Sequence, residues 1–152
     1  MKLVGSDGQS MELTIQGYQF PEHAAAKYDS NWLIVAVEVS HPRGAWRATD
    51  PCLLTYELAR LADWLEGVAE GGEASPQAGF IEPNLEFHVV QRKGGKALRV
   101  LFGLELRPSW AQSDLERAEG VSVEFPIGDL DLHEAAQDLR QQLRRYPQRA
   151  AV

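Results

Sequence analysis

The sequence predicts an α+β fold, with mainly antiparallel strands (about six to seven, in one curved sheet or two packed sheets) and two helices, in the order strands-helix-strands-helix. Three observations predict it. Apolar residues alternate with period two in four separate stretches, as half-buried strands do. Two other stretches switch to the i, i+3, i+4 spacing of amphipathic helices. The elements also lack the strict strand–helix alternation that a parallel sheet would impose.

Taken in order, Leu3 and Val4 pair with the strand around Met11 across Ser6-Asp7-Gly8, a plausible hairpin turn. In that strand Met11, Leu13 and Ile15 face one way, while Glu12, Thr14 and Gln16 face the other. Leu33, Val35, Val37 and Val39 then alternate with Ile34, Ala36 and Glu38, and Ala45 to Thr49 form a short strand around Trp46. Leu54, Leu58, Leu61, Leu65 and Val68 make the first helical stripe, which Gly71-Gly72 ends. Asp50 before Pro51, and Thr55, both suit its cap.

Leu85, Phe87 and Val89 share a face, and Lys93-Gly94-Gly95-Lys96 turns the chain into the longest alternation, Leu98 to Leu106. Val121, Val123, Phe125 and Ile127 complete the strands, and Pro126 places that strand at an edge or at its own end. The second helix carries Leu132, Ala135, Ala136, Leu139, Leu143 and Tyr146 and stops at Pro147. Asp131 and Glu134 are spaced as in a capping box, and Arg140, Arg144 and Arg145 suit the negative end of the helix dipole. Gly71 to Gly79 and Ser109 to Gly120 read as loops.

The length of 152 residues fits one domain over 1–152. A globule of that size buries about 68–70% of the surface its unfolded chain exposes, enough for a core without staples. The apolar and charged fractions, 44% and 24%, are those of an ordinary globular protein. No apolar run approaches the roughly 18–20 residues that span a bilayer, residues 1–10 lack a signal-peptide pattern, and the one cysteine, Cys52, allows no internal disulfide. A cytoplasmic protein is expected. The net charge of −7 argues against direct nucleic-acid binding and against anionic membranes, and is compatible with a basic protein partner.

Convergent chemistry is not visible. The sequence has no G-x-G-x-x-G and no G-x-S-x-G, and His23, His41, His88 and His133 lack metal-binding spacing. Cys52 reads as a small buried side chain near a helix start. No catalytic residue, metal or cofactor is therefore expected.

Three features point to binding instead. Strand glutamates lie out of phase with the apolar faces: Glu12, Glu38, Glu86, Glu105 and Glu124. The first helix and its exit carry Glu57, Asp63, Glu66, Glu70 and Glu73 against Arg60 alone. Trp110 sits in a loop near Asp114, Glu116 and Glu119, where an exposed indole suits an interface hot spot. The candidate partner-binding residues are thus Glu38, Glu57, Asp63, Glu66, Glu70, Glu86, Glu105 and Trp110. A solvated acidic surface that discourages edge-to-edge association, and a Trp110 that plugs the end of the core, are the simpler readings. Trp32, Trp46 and Trp64 are read as core.

Several strings resemble the WapI family of immunity proteins from bacterial polymorphic-toxin systems. They are Gly17-Tyr18-Gln19-Phe20-Pro21, Tyr28-Asp29-Ser30-Asn31-Trp32-Leu33, the run Trp46-Arg47-Ala48-Thr49-Asp50-Pro51-Cys52-Leu53-Leu54-Thr55, Glu82-Pro83-Asn84-Leu85-Glu86-Phe87 and Tyr146-Pro147-Gln148-Arg149. The resemblance implies a non-catalytic protein that neutralises the toxin domain of a contact-dependent effector, commonly a nuclease. It carries over no catalytic residue and no toxin-contacting position. Asp29, Asn31, Thr49 and Asp50 are read first as caps and turn hydrogen-bonders. The other reading is a small-molecule-binding or enzymatic domain, its pocket lined by Trp32, Trp46 and nearby acids.

Overall fold

The computed structural model describes residues 1–22, 29–72 and 75–149. His23, Tyr28 and Glu73 lie outside them. Two antiparallel four-stranded sheets are present, with strands in sequence order in each. The first holds β1 (Lys2–Val4), β2 (Ser10–Tyr18), β3 (Trp32–Ser40) and β4 (Trp46–Leu54). The second holds β5 (Gln77–Ala78), β6 (Leu85–Arg92), β7 (Gly95–Phe102) and β8 (Val121–Pro126). The helices are α1 (Thr55–Ala69), α2 (Asp114–Glu119) and α3 (Leu132–Arg145).

Of the two sheet arrangements the sequence leaves open, this is the two-sheet one. Both sheets contribute to one core. Leu13, Leu33, Val35 and Val37 enter it from the first sheet, Phe87, Val100, Phe102 and Phe125 from the second, and Leu58, Leu61, Leu65 and Leu139 from α1 and α3. Most of the alternating residues read as strand faces turn inward, while Val89 and Ile127 are part-buried and Leu104 is exposed.

Four predicted features change. β4 runs to Leu54, well past the Ala45–Thr49 expected, because a proline within a strand looks like its end. Here Pro51 lies on an edge strand, at a bulge where Pro51 and Cys52 face the single residue Ile34. The helix consequently starts at Thr55. The strand expected over Leu98–Leu106 stops at Phe102, and a 3-10 turn spans Leu104–Leu106. Leu104 has φ 49°, which no ladder position adopts. Leu104 is turned out to solvent at the break, and Leu106 returns to the core beyond it.

The stretch 109–120 read as loop contains α2. Its start is a complete capping box: Ser113 Oγ accepts from Glu116 N (3.1 Å) and Glu116 Oε2 accepts from Ser113 N (3.2 Å). The two-residue β5 likewise lies in the Gly71–Gly79 stretch.

The helix ends follow local chemistry. α1 closes in a Schellman motif, Gly72 N to Gly67 O and Gly71 N to Val68 O, with Gly71 at φ 68°. Asp131 caps α3 by accepting from Glu134 N (3.0 Å). One face of α3 reads β2 directly. Where β2 bulges between Ile15 and Gly17, Ile15 N donates to Gln142 Oε1 (2.7 Å), and Gln142 Nε2 donates to Leu13 O (3.1 Å).

Three of the strings quoted for the resemblance meet at the chain's C-terminal segment. Arg149 N and Thr55 Oγ1 both donate to the buried Asn31 Oδ1 (3.0 and 2.8 Å). Arg149 also lies 3.5 Å over the Tyr18 ring and donates to the Phe20 and Pro21 carbonyls. Asn31 is therefore a hydrogen-bonder as read, and it has long-range partners in Thr55 and Arg149.

Candidate functional site

The acidic residues singled out from the sequence do not form the two faces that spacing implied. Glu57 is 1% exposed. Its Oε2 accepts from Leu54 N (3.0 Å) at the start of α1 and its Oε1 from Ile81 N (2.8 Å). It is a structural clamp between the helix start and the 81–84 turn, withdrawn from any partner. Asp63 and Glu66 both bind Arg140 of α3, Asp63 at 2.7 Å, so one cation offsets half of that pair's charge. Glu70 is exposed at the C-cap of α1.

The strand glutamates also separate. Glu38 lies on the outer face of the first sheet in the cross-strand row Lys2, Glu12, Glu38, Arg47. Its ion pair with Arg47 (2.6 Å) balances it locally. Glu86 lies on the outer face of the second sheet, bonded to His88 (3.1 Å). Glu105 sits on the 104–106 turn rather than on a strand.

Trp110 is half-buried at a junction between the sheets. Its ring stands 5.7 Å from both Trp46 and His41, with the Arg43 guanidinium 4.6 Å above it, and Arg43 pairs with Glu116. A Cβ on Gly44 would come within 3.3 Å of its Nε1, so the 41–45 turn closes directly on the indole. Of the two readings of this tryptophan, the plug describes its surroundings better. Burial holds the His41 imidazole below its ordinary pKa. Trp46 and Trp64 pack part-buried against the core. Trp32 and Trp46 pair with Leu54 and Val39 at opposite ends of the β3–β4 ladder, about seven residues or roughly 23 Å apart. They cannot line one small-molecule pocket.

The structure instead gathers a carboxylate group that spacing does not show. Asp50 of β4 and Glu105 of the 104–106 turn converge on the buried Asn84, whose Nδ2 donates to Glu105 Oε2 (2.8 Å) and, longer, to Asp50 Oδ2 (3.4 Å), and Glu82 of the 81–84 turn lies near enough for its charge to act on Asp50. Burial first, then the charges of Glu105 and Glu82, raise the Asp50 pKa above the usual carboxylate value. Several acids elsewhere have a cation, Glu38 with Arg47, Asp63 and Glu66 with Arg140, Glu116 with Arg43 and Glu124 with Arg92, while others such as Glu12, Glu70, Glu119 and Glu134 make no ion pair among the described residues. Among the described residues, no ion pair involves Asp50, Glu82 or Glu105.

Two exposed apolar side chains flank this group, Ile81 (53% exposed) and Leu104 (49%). Leu104 also holds a left-handed backbone conformation that disfavours a leucine by about 1–2 kcal/mol. Like charges beside exposed leucine and isoleucine are the surface chemistry that suits an external cation and an apolar contact.

Cys52 lies behind this surface. Burial, then the charge of Asp50, pushes its thiol up to about 12. The native protein should therefore resist iodoacetamide at pH 8, and modification should proceed at the ordinary thiol rate once urea unfolds it. Prompt labelling of the folded protein would contradict this burial.

Among the described residues, no three His, Cys, Asp or Glu side chains converge as metal ligands, and no helix is long and apolar enough to cross a membrane. Residues 2–147 match the family described as the immunity protein WapI-like family. No curated protein matches the sequence.

Proposed function

Because the chain belongs to the WapI-like immunity protein family, we propose that it acts in the bacterial cytoplasm as a non-catalytic immunity protein, binding a cognate toxin domain and blocking it. The toxin we infer is a basic one, most simply a nuclease, since a cleft that holds phosphates needs cations. The observation that carries this is the uncompensated group Asp50, Glu82 and Glu105 beside Ile81 and Leu104. It offers carboxylates to a basic surface and an apolar anchor next to them.

Inhibition by binding needs no reactive group, only an interface that covers or blocks the toxin's working surface. The test is co-expression with the toxin domain encoded beside this chain. The parent protein should restore growth and co-purify with the toxin in fixed stoichiometry. The triple variant Asp50→Asn, Glu82→Gln, Glu105→Gln should lose most of that protection while accumulating to the same level. A parent that neither protects against nor co-purifies with that toxin domain would overturn the reading.

A further inference from the structure

We propose that a second part of the interface, a cleft on the outer face of the second sheet, receives a carboxylate side chain of the toxin domain, with Arg99 as the group that binds it. The proposal rests on the immunity reading above. The cleft measures about 430 Å³; Glu86, His88, Arg99 and Leu101 form its floor, and Leu104 and Arg117 stand at its walls.

Arg99 projects from β7, between His88 of β6 and Glu124 of β8 in one cross-strand row. Glu124 and Glu86, the carboxylates on the neighbouring strands, are already engaged. Arg92 holds both oxygens of Glu124 (2.8 and 2.6 Å), and His88 bonds to Glu86 (3.1 Å). Arg99 adds to the field at Glu124 without a hydrogen bond to it. Its Nε is removed from solvent and has no acceptor among the described residues. An N–H of a charged group left in that state is unfavourable, and the planar guanidinium fork is matched by a carboxylate accepting two bonds.

A side-chain carboxylate fits this cleft better than a phosphate. The floor already carries Glu86 and the rim Glu119, which repel a more highly charged anion, and the apolar stem of an aspartate or glutamate can lie on Leu101 and Leu104. The location links the cleft to the carboxylate group. Pro83 and Leu104 line the cleft, and their chain neighbours Glu82 and Glu105 belong to the acidic side. A partner lying across this ridge places a cation on one side and a carboxylate on the other, which fixes its orientation and disfavours a partner with the reverse pattern.

The experiment compares Arg99→Met and Arg99→Lys with the parent, as free proteins and in complex with the neighbouring toxin domain. Free Arg99→Met should keep or raise the thermal midpoint, because it removes an unsatisfied buried N–H. Its complex should dissociate at least about thirtyfold faster, and Arg99→Lys should recover only part of the lifetime. A lowered midpoint of free Arg99→Met with an unchanged complex lifetime would make Arg99 structural and overturn the proposal. So would an Arg99-dependent response to inorganic phosphate with no effect on the complex. In both cases a parent that still neutralises the toxin leaves the immunity reading standing. A parent that fails to bind the toxin domain removes that reading, and the cleft assignment with it.

Discussion

Glu57→Ala is expected to destabilise the protein by about 3–5 kcal/mol, close to the loss on breaking a buried charged pair. The carboxylate is almost entirely buried and accepts two backbone N–H groups, from Leu54 at the start of α1 and Ile81 in the following turn. Truncation leaves both donors without acceptors, at about 1–3 kcal/mol each, more where the lost partner is charged. Leu54 has no side-chain oxygen to accept from Glu57 N, so the bond from Leu54 N to the Glu57 carboxylate is the return half of a capping box without its usual partner. Glu57→Gln keeps one acceptor oxygen but turns an NH₂ toward the other donor, so an intermediate loss is expected.

Urea unfolding provides the check, with a lowered midpoint at unchanged slope. Glu70→Ala, at an exposed cap position, should stay within about 0.5 kcal/mol of the parent. A Glu57→Ala midpoint equal to that control would contradict the clamp. The effect also bears on function. The turn that Glu57 holds carries Ile81, Glu82 and Asn84, so loosening it should weaken toxin binding even where the variant folds.

The strand faces and both long helices were legible in the sequence because each depends on spacing within one segment. Leu33 to Val39 and Leu98 to Phe102 bury the alternating residues that periodicity picks out, and Asp131 and Gly71 act where local chemistry places a cap and a stop. The capping box at Ser113 and Glu116 is equally local, but the segment around it has no apolar stripe and so reads as loop. The roles of the acids were not legible, because each is set by a residue far away in the chain. Arg140 pairs with Asp63 and Glu66 from another helix. Glu57, read as part of a solvated helix face, lies at the buried third position of α1. Asp50, Glu82 and Glu105 come together only because Asn84 and the break at Leu104 bring three separate segments to one place. Three of the quoted strings likewise meet at Asn31 and Arg149, which links those strings to the fold rather than to a binding surface.

Neutralising Asp50, Glu82 and Glu105 together is expected to slow association with the toxin domain by an order of magnitude or more, while dissociation changes less. Attraction between opposite charges steers encounter, and it is screened within about 8 Å at physiological salt. Close contacts set the lifetime of the complex more than its rate of formation. Carboxylates already matched by arginines present little net field, so their removal has less to take away. The control is therefore an equal change of charge at carboxylates with cations beside them, Glu12→Gln and Glu38→Gln in the row Lys2, Glu12, Glu38, Arg47, and Glu66→Gln beside Arg140.

The most direct test of the account is the association rate measured over a salt series for the parent, the Asp50/Glu82/Glu105 variant and this control. The parent and control should associate fast at low salt and slow steeply as salt rises, while the Asp50/Glu82/Glu105 variant should be slow throughout with a shallow slope. Equal rates and equal slopes for all three proteins would contradict the assignment of this carboxylate group as the toxin-facing surface.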